Sequence, residues 1–448
     1  MIKYLKEPAK NVPIDGVFDI CVVGGSCTGL FAAVRAARLG AKVAIIEKQN
    51  CFGGVATNGL VNVWHSLYDI KGEKQIIGGL TYEVIERLKK RKAVENIGGK
   101  KTGNFILNTE ELKIELDELA KEADLKVYFH AFFVAPYIED GKLKAIFIET
   151  KSGRKAIMAR MFIDATGDGD LCTSIGVPYT LPDKKQPPTT CAKIYGLHKL
   201  DRNEFTDLIV KHHEEFQLEK DWGWGGRIPD LSEITFHAET HVFNVNCTEA
   251  DDLTFSEIEG RRQVRAYMDI IRRYRPDINP VLVSLSSYIG IRETRHLSCA
   301  YRLTEEDILY GKRFDDAIAN GTYPVDIHHE DKKGITFKRL DGSQEYSVRG
   351  EPSVISRWRD DDGYTPFYQI PYRCLIPNTS FDNVLACGRM IDADKGAYGA
   401  IRVMVNLNQT GEAAGVAAFL AIKDNLSVKN ISTEKLRNTL KEGGSIII

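Results

Sequence analysis

Six consecutive residues near the N-terminus, Gly24-Gly25-Ser26-Cys27-Thr28-Gly29, have the composition and spacing of a turn that binds a pyrophosphate group. In such a turn the first glycine lets the chain bend sharply out of a strand, the second lets the backbone approach the phosphates, and the third lets the following helix pack on the strand. Gly24 and Gly29 meet the first and third needs, whereas Ser26 occupies the second position. Its small side chain leaves the approach crowded but open, and its hydroxyl can donate to a phosphate oxygen.

The residues around this turn predict the elements that must hold it. Residues 19–23 and 42–46 are short apolar runs that predict strands, and residues 30–37 carry the inward positions of a helix between them. The helix N-terminus offers N–H groups and a partial positive charge to an anion. Glu47, 23 residues after Gly24, can accept from both ribose hydroxyls and would repel a 2′-phosphate. The unit therefore predicts a dinucleotide site and argues against NADP, and a packing unit without a ligand would leave the clustered glycines unexplained.

Three later segments narrow the choice of dinucleotide. CFGGVATNGL (51–60) is flexible and rich in backbone donors, which suits a long cofactor. MFIDATGDGD (161–170) is an apolar strand that runs into a glycine loop, and NVLACGRMIDADKGAYGAIRVM (383–404) is a third strand, loop and helix start. These strand ends reach the first turn only if the chain returns to the same sheet.

With these motifs the chain resembles FAD-dependent oxidoreductases of the two-dinucleotide-binding-domain type, which share a glutathione-reductase-like FAD fold with fumarate reductase flavoproteins. The resemblance covers nearly the whole chain, and three segments look specific to a narrower bacterial family: 290–309, 323–329 and 385–404. It implies the α/β class, with a Rossmann-like (glutathione-reductase-type) FAD-binding domain and an inserted α+β substrate domain. It also implies noncovalent FAD, because the motif that surrounds a flavin-carrying histidine in some relatives is absent around His65.

The resemblance also implies roles for individual residues. Val134 would place backbone against adenine, the loop at 396–402 would bring a helix N-terminus to the flavin N1/C2 edge, and Arg389 stands where many relatives have aspartate. A positive helix end at that edge would favour the negatively charged reduced flavin. The complete set of implied FAD-binding residues is Gly24, Gly25, Ser26, Cys27, Thr28, Gly29, Glu47, Lys48, Gly53, Gly54, Thr57, Val134, Ala165, Thr166, Gly167, Gly388, Arg389, Ala400 and Ile401.

Candidate substrate-side residues lie mainly in the segment GIRETRH (290–296) and around DIHHE (326–330). Arg292 or Arg295 could clamp a carboxylate with two parallel hydrogen bonds, or could form interdomain salt bridges instead. His328 is a candidate proton acceptor, since imidazole titrates near neutral pH. A metal site is not favoured, because the ligand spacing is irregular and no matching cluster occurs elsewhere. Arg402 is a further candidate cation beside the flavin; His65, Arg373 and Tyr398 are additional candidates.

The composition excludes several classes of protein. Charged residues make up 27%, apolar residues 43%, and the net charge is −2, which gives no field to gather nucleic acid or acidic lipid. No apolar run approaches the ~20 residues of a membrane helix, and the N-terminus lacks a signal core, so we expect a cytoplasmic protein without nucleic-acid or membrane partners. The nine scattered cysteines form no CxxC pair and predict buried thiols rather than a metal centre.

The length of 448 residues allows two domains, and a shift in composition near residue 182 indicates where the second begins. We expect the first part of the FAD-binding domain at 1–182, an inserted substrate domain at 183–365, and the second part of the FAD-binding domain at 366–448. Within the insert, an arginine-rich helix at about 255–274 fits a solvated face better than a nucleic-acid surface, because acidic segments nearby cancel its charge.

These features predict a FAD-dependent oxidoreductase, specifically a dehydrogenase that transfers hydride between a small polar organic substrate and noncovalent FAD. The substrate is anionic if the arginines bind it. Two alternatives stay open: a flavoprotein electron-transfer subunit, and a flavin-dependent reductase of unsaturated acids. The sequence also leaves open the substrate, the electron acceptor and the association state, whether a homo-oligomer or a complex with a redox partner protein.

Overall fold

The computed structural model describes residues 4–97, 103–329, 332–361 and 363–448. The strands are β1 (Ile14–Val23), β2 (Val43–Ile46), β3 (Val63–Trp64), β4 (Val94–Asn96), β5 (Phe105–Leu107), β6 (Lys126–Tyr128), β7 (Phe132–Glu139), β8 (Lys142–Thr150), β9 (Gly153–Asp164), β10 (Tyr179–Thr180), β11 (Ala192–Tyr195), β12 (Trp224–Ile228), β13 (Leu231–Ala238), β14 (Val281–Leu285), β15 (His296–Leu297), β16 (Ala317–Gly321), β17 (Val325–His328), β18 (Ile335–Lys338), β19 (Ser343–Ser347), β20 (Val354–Arg357), β21 (Tyr368–Pro371) and β22 (Val384–Ala386). The helices are α1 (Cys27–Arg38), α2 (Gly79–Lys90), α3 (Thr109–Glu122), α4 (Asp170–Ser174), α5 (Arg202–His212), α6 (Ala250–Tyr274), α7 (Glu305–Leu309), α8 (Lys395–Ile401), α9 (Met404–Asp424) and α10 (Thr433–Glu442).

The largest sheet has the strand order β6-β2-β1-β9-β8-β7, and β22 also pairs with β9. Strands β6, β2, β1, β9 and β22 run parallel, whereas β7 and β8 form an antiparallel hairpin on the first half of β9. Parallel strands joined through α1 are the arrangement expected of a Rossmann-like α/β fold, so the predicted α/β class with a parallel sheet is confirmed.

Residues 126–164 do not form one continuous run of antiparallel strands. His130, whose φ is +51°, interrupts the extended backbone between residues 126 and 139. The strand before it, β6, pairs with β2, and the strand after it is β7. The second half of β9 then leaves β8 and pairs with β1 and β22. A single 12-residue strand thus serves both the hairpin and the parallel sheet.

Helix α9 packs closely on α1 and also contacts the main sheet at β1, β9 and β22. A Cβ added at Gly411 would lie 2.0 Å from the Thr28 carbonyl oxygen, and one at Gly415 would lie 2.1 Å from that of Ala32. Two helix backbones can approach this closely only where side chains are missing. The contact fixes α9 against the helix that follows the first glycine turn.

Two four-stranded antiparallel sheets lie between β9 and β22 along the chain, besides the two-stranded pairs β10-β15 and β16-β21. One has the order β12-β13-β11-β14 and the other the order β17-β18-β19-β20. Helix α6 begins at Ala250, five residues earlier than predicted, because Asp251 and Asp252 suit the positive end of a helix. Its exposed arginines pair with neighbouring acids, for example Arg261 with Glu257.

All nine cysteines are buried and free of disulfides. Within the ranges that the structure describes, no helix is long and apolar enough to cross a membrane. The same ranges bring together no group of three or more histidine, cysteine, aspartate or glutamate residues that could hold a metal ion.

Candidate functional site

A cavity of about 700 Å³ lies at the edge of the main sheet where β1, β2, β9 and β22 end. Its wall includes Val23, Ile46, Ala165 and Gly388, which lie at or just beyond those four strand ends. In open α/β sheets, ligands bind outside the carboxyl ends of the parallel strands. The cavity is therefore where a dinucleotide is expected.

Most of the predicted site residues meet at this cavity. The predicted residues that line it are Gly24, Ser26, Cys27, Thr28, Glu47, Lys48, Gly53, Gly54, Ala165, Thr166, Gly167, Arg292, His328, Gly388, Arg389 and Arg402. The predicted residues outside its lining are Gly25, Gly29, Thr57, Val134, Arg295, Ala400 and Ile401.

The first glycine turn has the geometry that its sequence requires. Gly24 has φ of +108°, and a Cβ there would lie 2.3 Å from the Ala165 carbonyl oxygen. A Cβ at Gly29 would lie 2.0 Å from the Gly24 carbonyl oxygen, so this glycine lets α1 pack against the end of β1. Ser26 has ordinary dihedral angles, and its Oγ caps α1 by accepting from the Gly29 N–H at 3.4 Å. A side chain is thus tolerated at the second position.

Glu47 organises the turn from the end of β2. Its carboxylate accepts from the Gly25 N–H at 2.6 Å and from the Gln49 N–H at 2.7 Å. Burial raises the pKa of Glu47, and the two N–H donors oppose that shift by favouring the ionised form. A carboxylate has about four lone-pair sites, so roughly two remain for hydroxyl groups in the cavity. Gly25 contributes through this contact although it does not line the cavity.

The loop after β9 is held by its own side chains. Asp164 is buried and accepts from the N–H groups of Thr166 and Cys172 and from the Thr166 hydroxyl. The Thr166 oxygen in turn accepts from the N–H groups of Asp168, Gly169 and Asp170. Burial raises the pKa of Asp164 to about 6 despite these donors. The arrangement holds residues 165–167 against the first glycine turn.

Two cations face the middle of the cavity. Arg389 pairs with Asp168, and Lys48 lies 3.5 Å from the Tyr288 hydroxyl with its ammonium 5.0 Å from the centre of that ring. Burial alone would lower the pKa of Lys48, but the charges of Tyr288, Asp168 and Asp170 outweigh it and raise the pKa. Arg389 Nε is buried and has no hydrogen-bond partner among the described residues.

The helix that reaches the cavity is α9, not the segment that contains Ala400 and Ile401. Those two residues are buried inside α8, and the Ala400 carbonyl accepts from the Tyr368 hydroxyl at 3.0 Å. The chain leaves α8 at Arg402, and Val403 and Met404 at the N-terminus of α9 line the cavity. The helix N-terminus at the cavity is that of α9, which begins at Met404, two residues after the predicted loop 396–402 ends.

Val134 and Thr57 also differ from expectation. Val134 is 39% exposed in β7, and the neighbouring Phe132 and Phe133 line the cavity instead. Thr57 is fully buried, and its hydroxyl donates to the Phe52 carbonyl at 2.6 Å. Thr57 therefore shapes the turn that contains Gly53 and Gly54 rather than lining the cavity.

Residues from the second half of the chain form a buried polar cluster in the cavity wall. Arg402 Nη2 donates to Asp326 at 3.0 Å and to Gln186 at 3.1 Å. His328 Nε2 lies 3.6 Å from the other oxygen of Asp326, and His328 Nδ1 is buried with no partner among the described residues. Arg292 donates through Nη1 to the Pro187 carbonyl and the Thr189 hydroxyl. We call Arg292, Arg402, Asp326 and His328 the polar cluster.

Charge and burial set the protonation of this cluster. Burial, followed by the positive charge of Arg292, lowers the pKa of His328 well below its usual value, so its imidazole is neutral at pH 7. Burial and the charge of Arg402 lower the pKa of Arg292 to about 10, which still leaves it protonated. His65, whose ring is tilted against that of Tyr323 with 4.4 Å between the ring centres, also lines the cavity, and burial lowers its pKa to about 4.

Arg295 lies away from the polar cluster. Its Nη1 donates to the Asp168 carbonyl at 3.0 Å and to the Asp170 carboxylate at 3.1 Å. These are the salt-bridge contacts that the sequence analysis left as the alternative for this arginine. Alternate residues of the segment face opposite sides, which explains why Arg292 and Arg295 have different surroundings.

Sequence reasoning missed several cavity residues. Asp326, Trp222, Trp224, Tyr323 and Tyr288 all line the cavity. They lie in loops or short strands far apart in the chain, and their spacing carries no periodic signal. Only the WGWGG stretch at 222–226, whose two tryptophans flank a glycine, offered a hint of an exposed aromatic surface.

The cavity residues fit FAD. At Gly24 an added side chain would strike the Ala165 carbonyl, and at Gly54 a Cβ would lie 2.9 Å from that of Ser26, so bare backbone is required on both sides of the turn. Arg389 Nε and Arg402 Nε are buried donors without partners among the described residues. Donors of this kind suit the phosphates and the carbonyl edge of a flavin dinucleotide.

Comparisons with known proteins point the same way. A sequence profile of the family described as FAD dependent oxidoreductase matches residues 19–440. Glutathione reductase of Schizosaccharomyces pombe is 52% identical over 46 residues, 10% of each chain. Dihydrolipoyl dehydrogenase of Trypanosoma brucei brucei is 32% identical over 98 residues, 19% of this chain and 20% of that protein. A solved structure, a geranylgeranyl bacteriochlorophyll reductase-like protein of Thermoplasma acidophilum, is 13% identical with a TM-score of 0.46, covering 95% of this chain and 83% of its own.

The two curated relatives match only a tenth and a fifth of their own length, so their activities are not transferred to this chain. The family profile, by contrast, extends from within β1 to the last helix. The chain therefore belongs to the family of FAD-dependent oxidoreductases and is a flavoenzyme with FAD as its cofactor.

Proposed function

We propose that the enzyme transfers hydride between a small anionic organic substrate and noncovalent FAD. The observation that carries the proposal is the excess of positive charge in the polar cluster. Two arginines, Arg292 and Arg402, are opposed there by one carboxylate, Asp326, because His328 is neutral. An unmatched buried cation is costly unless an anion joins it.

Neighbouring charges do not cancel this excess. One further buried carboxylate, Glu293, acts on Arg402, but its oxygens are bonded to the Gln186 N–H and to His296 and contact neither arginine of the cluster. Behind the cluster, Asp221 and Glu239 face Arg349 and Arg202, so that group is neutral as a whole. Arg402 is already committed to Asp326. Arg292 uses only Nη1 toward the described residues, which leaves Nε and Nη2 as the donors for a carboxylate of the substrate.

FAD, when bound, supplies the group that accepts or returns hydride. The chain must bind the substrate and move the accompanying proton. Arg292 binds and orients the anionic group, Arg402 holds Asp326 in place through their ion pair, and His328, neutral at pH 7, takes the proton at an imidazole nitrogen. His328 can accept a proton only while its imidazole is neutral. We therefore expect the activity to fall as the pH is lowered.

We further propose that the fold is of the glutathione-reductase type. In this proposal the FAD-binding domain comprises residues 1–182 and 366–448, and the substrate domain is residues 183–365. The return of β22 to the sheet formed by β1 and β9 supports a discontinuous domain. The two four-stranded antiparallel sheets between those strands support an insertion with its own substrate-facing residues.

The test is anaerobic reduction of the FAD-loaded enzyme by a panel of hydroxy acids, amino acids and their uncharged analogues. We expect bleaching of the flavin near ~450 nm by carboxylates only. Arg292→Gln should retain the spectrum of bound FAD and lose reduction by substrate. The control Arg265→Gln, at a side chain 82% exposed on α6, should behave as wild type. Reduction of Arg292→Gln at the wild-type rate would refute the role of the arginine.

The same experiment separates the alternatives. If no small molecule bleaches the flavin but a reduced partner protein does, the protein is a flavoprotein electron-transfer subunit and not a dehydrogenase. If unsaturated acids oxidise the reduced enzyme and no substrate reduces it, the enzyme works as a reductase.

A further inference from the structure

Trp222 occupies a fixed position at the cavity wall beside the polar cluster. Its ring lies 6.0 Å from the His328 ring and 6.0 Å from the Phe337 ring, in edge-to-face arrangements with both. Trp222, Phe337 and Ile291 line the cavity together with the polar cluster. A flat apolar surface therefore adjoins the cationic one.

The backbone around Trp222 is held from both sides by charged residues, of which Arg349 and Glu239 are buried and Arg202 is half-exposed. Arg349 Nε donates to the Asp221 carbonyl at 2.6 Å, and Arg202 Nη2 donates to the Gly223 carbonyl at 2.6 Å. Both guanidinium groups also pair with the carboxylate of Glu239. We call Arg202, Glu239 and Arg349 the ionic clamp.

The ionic clamp leaves little freedom to this loop. The carboxylate of Asp221 accepts from the Gly334 N–H at 2.9 Å and lies 2.7 Å from His241 Nδ1. A Cβ at Gly223 would lie 2.2 Å from an oxygen of Glu239, so only glycine fits beside the clamp. Burial would raise the pKa of Glu239, but Arg349 and Arg202 lower it to about 2.

Burying the charges of Glu239 and Arg349 is costly and adds little stability by itself. Two residues of the ionic clamp, Arg349 and Arg202, donate hydrogen bonds to the backbone carbonyls on either side of Trp222. A binding surface benefits from such a rigid loop, because less conformational entropy is lost when a ligand binds to Trp222.

From this geometry we propose that Trp222 is a substrate-recognition residue. The substrate then carries a flat apolar group, such as an aromatic ring, next to its anionic group, and Arg202, Glu239 and Arg349 act as positioning residues. The inference rests on the proposed function, because it assumes that the anion lies at Arg292.

The test measures the binding of benzoate, acetate and benzyl alcohol to the FAD-loaded enzyme by thermal shift and by quenching of tryptophan fluorescence. We expect benzoate to bind at least about tenfold more tightly than acetate, from aromatic packing and apolar burial. Trp222→Ala should remove this preference and leave acetate binding unchanged. Trp222→Phe should restore most of the preference, and Trp358→Phe, outside the cavity lining, should retain the quenching.

The clamp is tested by Glu239→Gln with the same ligands. We expect the ratio of benzoate to acetate affinity to fall while the affinity for acetate is kept, an effect that a general loss of stability would not produce. Equal affinities for benzoate and acetate in the wild type, or an unchanged ratio in Trp222→Ala, would overturn the inference and leave the proposed function intact. Benzyl alcohol binding as tightly as benzoate would refute the anionic site instead. Failure of both anions to bind would refute the proposed function and the inference with it.

Discussion

Replacing Glu47 by glutamine tests the cofactor site most directly, because the two residues have nearly the same shape. The wild-type carboxylate accepts from the N–H groups of Gly25 and Gln49, and it is only 7% exposed. A glutamine amide offers one oxygen and one NH2 group, so one backbone N–H must then face a donor. Leaving a buried N–H without an acceptor costs about 1–3 kcal/mol of folding free energy.

The second effect concerns FAD. The remaining lone pairs of Glu47 are available to ribose hydroxyls, and a hydrogen bond to a charged group contributes about 1.5–3 kcal/mol. Losing it should weaken FAD binding by roughly 10- to 100-fold. The two effects are measured separately: urea unfolding of the apoprotein reports the first, and titration of the apoprotein with FAD by flavin fluorescence reports the second.

A matched control distinguishes this site from the general loss of a buried carboxylate. Glu115 is 8% exposed, pairs with Arg91 at 3.2 Å, and does not line the cavity. Glu115→Gln should lower stability without changing FAD affinity. If Glu47→Gln bound FAD as tightly as wild type, the role assigned to the carboxylate would be wrong. Unchanged stability of its apoprotein would contradict the two N–H contacts.

Three other substitutions probe the site. Gly29→Ala should destabilise the protein by about 1–3 kcal/mol in thermal unfolding and impair FAD retention, because its Cβ would lie 2.0 Å from the Gly24 carbonyl; wild-type behaviour would contradict the close packing. Ser26→Ala should cost about 1 kcal/mol in urea unfolding by removing the cap of α1, and an unchanged midpoint would show that the 3.4 Å contact contributes nothing. Burial lowers the pKa of His65 from 6.5 to about 4. Between these pH values the unfolded chain binds one more proton than the folded protein, so the free energy of unfolding falls as the pH drops, by at most about 3 kcal/mol. His65→Gln should show a smaller loss between pH 6.5 and 4 in the same unfolding measurement, and an equal loss would refute the shift.

The parts of the site that the sequence makes easiest to predict are those governed by local geometry. A turn that needs positive φ at Gly24 or lacks room at Gly29 selects glycine, and this selection is readable in the residues themselves. The acid at the end of β2 follows from the same unit, because its distance from the turn is fixed by one helix and one strand. Residues whose type is fixed by local backbone geometry can therefore be recognised from the neighbouring sequence.

Other predicted residues depend on how distant segments pack. Val134 lies outside the cavity lining, and Phe132 and Phe133, which follow the break at His130, line it instead. Ala400 and Ile401 lie within the short α8, and the helix whose N-terminus lines the cavity begins at Met404. Trp222 depends on a clamp whose members are brought together only by tertiary packing. Such contacts join residues far apart in the chain, and no periodicity in the sequence records them.

Ser26 shows how geometry can relax a sequence motif without loss of its function. The second position of the turn has φ of −59°, which any residue can adopt, so glycine is needed there only to make space. That space is supplied from the other side by Gly54, where a Cβ would come within 2.9 Å of the Ser26 side chain. The absence of a side chain at Gly54 thus leaves room for the side chain of Ser26. The serine hydroxyl also caps α1, the helix whose N-terminus lines the cavity. Restoring glycine at position 26 should therefore lose the cap without improving access to the phosphates.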